Sequence, residues 1–178
     1  KFSLFRKTPA WVDKAFDSKW LLKKAAARSG MTSSKDLGEI TLSTFRGEDG
    51  PLVKEVNKVV DWFKKQGTPD VILLSTIMLA GIGKALRREL KVPVLGFLQG
   101  EDSFLDSLLP EYRNEAWNLL AQDVARLDGC IAPSRYFGKL MAERLKISED
   151  SVRHHPNGIT LNGFSPRRDA PEIPTLGY

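Results

Sequence analysis

Four adjacent residues, Gln99-Gly100-Glu101-Asp102, hold the densest chemistry in the sequence. They follow directly on an apolar run, Val94 to Leu98. A glycine there lets the backbone approach a ligand closely. An amide and two carboxylates beside it can hydrogen-bond several hydroxyls at once, as a sugar acceptor demands. Desolvated, one of the carboxylates could also move a proton, because burial raises its pKa. The plainer reading is a polar turn in which Asp102 caps a helical Ser103-to-Leu108 segment. Ser134-Arg135 is the second cluster. Ser134 suits a helix N-cap, and a helix start beside an arginine attracts anions such as a phosphate-bearing ligand.

The other reactive residue types point away from chemistry. His154 and His155 are the only histidines. Side by side on an extended segment they point to opposite sides, so one is expected packed and the other exposed, with no shared metal. No cysteine or carboxylate cluster stands at metal-ligand spacing, and no metal is expected. Cys130, among Gly129, Ile131 and Ala132, reads as a buried small hydrophobe. GxGxxG after a strand, GxxxxGK[ST] and GxSxG are all missing, which disfavours dinucleotide, P-loop and serine-hydrolase readings. Gly81-Ile82-Gly83 reads as close packing.

The elements that must carry these clusters alternate between strand and helix. Glu39 to Phe45 alternates like a half-buried strand, after a polar linker from Met31 to Gly38. A turn at Arg46 to Gly50 precedes a helix from Pro51 to Lys65 that Gly67 ends. Val71 to Leu74 is a short strand, apolar on both faces as in a helix-covered parallel sheet. A helix through Leu90 follows, then the strand Val94 to Leu98, a helix from Glu111 to Arg126 and the strand Gly129 to Ala132. The helix capped by Ser134 carries Phe137, Leu140, Met141 and Leu145, and Val152 to His155 is a last extended piece. The fold class is therefore α/β, a Rossmann-like parallel sheet with flanking helices. In such sheets ligands sit beyond the carboxyl ends of the strands. That rule nominates Ser75-Thr76, Gln99 to Asp102, Pro133 to Arg135 and His155 to Gly158.

Composition limits the setting. The chain has 178 residues, 42% of them hydrophobic and 28% charged, enough for one ordinary core. The single cysteine fits a reducing cytoplasm, and no apolar run approaches the ~20 residues of a bilayer span. The net charge is +5, yet residues 1–28 alone hold +6. Pro9 and Ser18 mark the starts of two amphipathic helices there. The expected division is a basic amphipathic segment (1–38), a Rossmann-like domain (39–165) and a linker (166–178). Basic residues confined to one end do not make a nucleic-acid groove. They would suit peripheral contact with an anionic membrane, or the solvated face of a helix.

In order and spacing, these landmarks resemble GT-B-fold retaining glycosyltransferases of the group 1 family. The pieces are Asp70 to Leu74, Leu79 to Leu86, Val92-Pro93-Val94, Gln99 to Asp102, Asp128 to Ser134 and Pro156-Asn157-Gly158-Ile159. The resemblance runs from about Pro69 to Pro166 and covers the second half of that family's N-terminal, acceptor-side domain. It implies transfer from a nucleotide-sugar donor, with no cofactor and no required metal, to a sugar or lipid-linked acceptor, with retention. Acceptor contacts would fall on Gln99, Gly100, Glu101 and Asp102, with Ser134 and Arg135 at the cleft edge. Asn157 and Gly158 would mark the interdomain crossover. Many members carry histidine where Gln99 stands. The family's glycine-rich first loop and its donor domain, with the catalytic residues, have no counterpart here. The expectation is an interior piece of the enzyme, inactive alone, cytoplasmic and peripheral to the inner membrane face. The alternative is a stand-alone flavodoxin-like binding or interaction module.

Overall fold

A computed structural model describes residues 33–163. The expected helices and membrane contact of residues 1–28, and the linker 166–178, lie outside the described residues. The chain runs α1 (Ser34–Phe45), α2 (Val53–Gln66), β1 (Ile72–Leu74), α3 (Gly83–Leu90), β2 (Val94–Phe97), α4 (Glu101–Ser107), α5 (Pro110–Val124), β3 (Gly129–Ala132), α6 (Arg135–Leu145) and β4 (Val152–His154). The four strands form one parallel sheet in the order β1-β2-β3-β4, pairing Leu74 with Gly96, Gly96 with Cys130 and Cys130 with Val152. The fold is α/β with a helix-flanked, Rossmann-like parallel sheet, as the alternation implies.

The stretch expected as the first strand, Glu39 to Phe45, is helical. One local signal outweighs its alternation, and the threonine hydroxyls adapt to the helix that results. Ser33 and Asp36 form a capping box, Ser33 Oγ accepting from Asp36 N at 3.1 Å and Asp36 Oδ2 from Ser33 N at 3.2 Å. The β-branched threonines fold their hydroxyls back onto the helix, Thr41 onto Leu37 O at 2.8 Å and Thr44 onto Ile40 O at 2.9 Å. Gly38, Thr41, Leu42 and Phe45 then face inward at helical spacing. α1 packs on α5 so closely that a β-carbon at Gly38 would lie 2.4 Å from the Tyr112 ring. The end of α1 meets the 3-10 turn Ile77–Ile82 that follows β1. A β-carbon on Gly81 would fall 2.3 Å from Phe45 O and 2.7 Å from Thr44 O, so this glycine is close packing, as its surroundings suggested.

β1 is covered on one face only among the described residues. Ile72 and Leu74 are buried, whereas Val71 and Leu73 are exposed. The double coverage expected from its composition is thus not what the described helices provide, because α2 and α3 both pack on the Ile72 side. A second cluster, with Leu98, Leu105, Leu120, Cys130, Ala132 and Met141, joins the sheet to α1, α4, α5 and α6.

Candidate functional site

Parallel pairing brings all four strand ends to one edge of the sheet. Backbone bonds continue past the strands, from Leu98 N to Ile131 O and from His155 N to Ala132 O, both 2.9 Å. Thr76, Gln99-Gly100, Ser134-Arg135 and His155 to Gly158 therefore emerge together. The strand-end positions nominated from the sequence share one face of the molecule.

Glu101 organises that face. It is buried at the start of α4. Its Oε1 accepts from the Thr76 hydroxyl at 2.6 Å and its Oε2 from Gln99 N at 2.7 Å. Thr76 Oγ1 in turn accepts from Met78 N at 3.2 Å. One carboxylate thus ties the chain leaving β1 to the chain leaving β2 through charge-assisted bonds. Both of its oxygens are occupied by protein donors. Gln99 and Gly100, just outside this tether, are exposed, and Asp102 is half-buried.

Gly100 is the N-cap of α4, with φ of 97°, a left-handed conformation that favours glycine. On the plainer reading Asp102 caps this helix, but α4 begins one residue before it and Asp102 sits in the first turn. A β-carbon on Gly100 would meet nothing within 4 Å. The backbone geometry, rather than crowding, calls for glycine, and open space adjoins it.

The far end of α4 is clamped too. Asp106 accepts from Arg144 of α6 through both oxygens at 2.7 Å and from Trp117 Nε1 at 3.1 Å. The Arg144 guanidinium also lies 4.1 Å from the centre of the Trp117 ring. Hydrogen bonding from Arg144 holds the Asp106 carboxyl below its ordinary range against the opposing effect of burial, with Trp117 assisting. α4 is therefore held at both ends.

Ser134 is the N-cap of α6, its Oγ accepting from Phe137 N at 3.1 Å. Arg135 is exposed beside it. Both line a groove of about 520 Å³ between α6 and β4, with Gly138, Lys139, Glu149, Arg153 and His154. Neither histidine is packed: His154 and His155 are both exposed, contrary to the division expected between them, because β4 is an edge strand. Lys139 and Arg153 carried no motif that would have picked them out; helix spacing puts Lys139 beside Arg135, and the parallel pairing of β3 with β4 brings Arg153 and His154 to the same groove.

Cys130 is buried behind the face. Burial, and then the charge of Glu101, push its thiol up to about 11, so it stays protonated and unreactive at neutral pH. The described residues contain no group of three or more His, Cys, Asp or Glu able to hold a metal ion. No helix among them is long and apolar enough to cross a membrane.

A comparison with curated proteins finds no match. The family profile described as Glycosyltransferase Family 4 matches residues 40–162, from the first helix through the last strand end. The match takes in every element that builds the strand-end face, and the chain belongs to Glycosyltransferase Family 4.

Proposed function

We propose that this chain supplies the acceptor-holding part of an enzyme that moves a sugar from a nucleotide-sugar onto a sugar or lipid-linked acceptor, with retention, in a GT-B arrangement. Gln99, the Gly100 backbone and Asp102 contact acceptor hydroxyls, and Ser134 and Arg135 flank the cleft. Glu101, whose two oxygens are already bonded, acts on the acceptor indirectly by positioning Gln99 and Gly100. Asn157 and Gly158 lead toward a donor-binding domain that holds the catalytic residues.

The observation that carries this reading is the Glu101 tether. A buried carboxylate spanning two strand ends fixes the backbone beside open space, at the edge where parallel α/β sheets take their ligands. Such fixed polar groups orient a hydroxyl-rich molecule without spending ordering entropy at the moment of binding. Family membership gives the sugar chemistry its support.

The test uses the 178-residue chain with a panel of nucleotide-sugars and sugar acceptors. Acceptor binding without turnover of any nucleotide-sugar is expected. Measurable transfer by this chain alone would overturn the assignment of catalysis to another domain. Failure to bind any sugar would overturn the acceptor-side assignment.

A further inference from the structure

The described residues include eight arginines. Six of them are engaged: Arg46 with Glu115, Arg87 with Asp128, Arg88 with Glu48 and Glu89, Arg126 with Asp123, Arg144 with Asp106, and Arg113 with the Leu108 carbonyl. The remaining two, Arg135 and Arg153, have no partner among the described residues, and both line the groove between α6 and β4. Lys139, also without a partner there, lines it as well. Four residues apart on α6, Arg135 and Lys139 lie on one side of the helix. Arg153, on the neighbouring strand β4, is also among the residues that line the groove. Glu149 is the one carboxylate of the lining.

The floor of the groove is made by close packing. Gly138 lets α6 lie against the sheet, where a β-carbon would come 3.1 Å from Ala132 Cβ and 3.3 Å from Val152 Cγ1. The cations thus stand on the walls of a concave site about 520 Å³ in volume, large enough for a phosphorylated sugar or a lipid headgroup. Three cations against the single carboxylate of Glu149 leave the lining with an excess of positive charge, which an anion relieves. Guanidinium groups in particular match phosphate oxygens two at a time.

We propose that the groove bounded by Arg135, Lys139 and Arg153 binds the phosphate group of a phosphate-bearing ligand. Identifying that ligand as the acceptor rests on the function proposed above, whereas the site itself does not. The acceptor would then present its hydroxyls to Gln99 and Asp102 and its phosphate to the groove.

The test is a titration of the isotope-labelled 178-residue chain followed through the amide signals of Gly138, Val152 and His154. The probes are inorganic phosphate, a hexose 1-phosphate and monomeric dihexanoyl phosphatidic acid. Saturable shifts at these amides are expected, with affinity falling at least about tenfold in the Arg135→Ala/Arg153→Ala variant. Arg135→Lys should retain part of the binding, and Lys58→Ala, on α2, all of it. Tighter binding of the hexose phosphate would identify a soluble ligand, and tighter binding of the lipid phosphate a membrane one. Shifts that do not saturate, or that persist unchanged in the double variant, would overturn the proposal. Phosphate binding in a chain that binds no neutral sugar would leave the groove standing and remove the acceptor reading instead.

Discussion

Replacing Glu101 with glutamine removes the charge from the tether while keeping its shape. The carboxylate accepts two hydrogen bonds, 2.6 Å from the Thr76 hydroxyl and 2.7 Å from Gln99 N. Glutamine offers only one acceptor oxygen, so its NH2 group must face a former donor. The threonine hydroxyl, which already accepts from Met78 N, can turn to accept from it through its second lone pair, but its own O–H then loses the carboxylate acceptor. The backbone N–H of Gln99 has no such freedom. A hydrogen bond to a charged group contributes about 1.5–3 kcal/mol, and losing one with the residual charge assistance of the other costs about 3 kcal/mol. Relief from burying a charge offsets part of this, leaving a net loss of about 2 kcal/mol, within the range of a single charge-assisted bond. Urea unfolding of Glu101→Gln should show that loss, and hydrogen exchange should show faster exchange specifically at the Gln99 amide. A cycle with Thr76→Val should give a coupling of about 1 kcal/mol between the two side chains. Unchanged stability together with unchanged protection at Gln99 would refute the reasoning.

Three further outcomes follow from other parts of the molecule. Asp123 is buried on α5 with Oδ1 3.2 Å from Arg126 and, among the described residues, no hydrogen-bond partner for Oδ2; burial raises its pKa from 3.8 to about 6, against the pull of Arg126. Its folded pKa lies above the unfolded one, so its stabilising effect is complete below pH 3.8 and lost as pH rises through about 6. Asp123→Asn should therefore gain on the parent chain by about 2 kcal/mol between those limits, a value lowered from the full shift for solvent screening near Arg126, as read from melts across pH. Gly81→Ala should cost about 3 kcal/mol in the same unfolding assay, because its β-carbon meets backbone oxygens that cannot move aside, whereas Gly158→Ala, with nothing within 4 Å, should be neutral. Cys130 should resist thiol reagents at neutral pH in the folded chain and react at once on unfolding, as a colorimetric thiol assay would report.

The strands and the later helices were legible because their signals agreed with one another. Gly129 to Ala132 is a short apolar run bounded by turn residues, and Ser134 is a cap directly before an amphipathic stretch. At Glu39 to Phe45 the signals conflicted, and alternation was the weaker one. Ser33 and Asp36 stand at capping-box spacing, but a box is persuasive only beside a helical apolar stripe. In α1 that stripe is built partly from Gly38, Thr41 and Ser43, whose burial comes from contact with α5 and the Ile77–Ile82 turn.

The site was legible in position and less so in roles. Gly after a buried strand, followed by acidic residues, located the edge of the sheet, yet composition alone made Glu101 and Asp102 equivalent. The difference is tertiary: Thr76 arrives from another strand and claims the Glu101 carboxylate, while Asp102 remains half-buried. Arg153 was invisible for a similar reason, since its meaning comes from the pairing of β4 with β3 rather than from its own neighbours in sequence.

The most direct test of the acceptor-face account is shift mapping on the isotope-labelled 178-residue chain titrated with neutral sugar acceptors. The account predicts saturable shifts at Gln99, Gly100, Asp102 and Ser134 that are lost in Asp102→Ala without a change in the unfolding midpoint. Saturable shifts confined to another face, such as Leu73 on β1 and Val71 just before it, would contradict it.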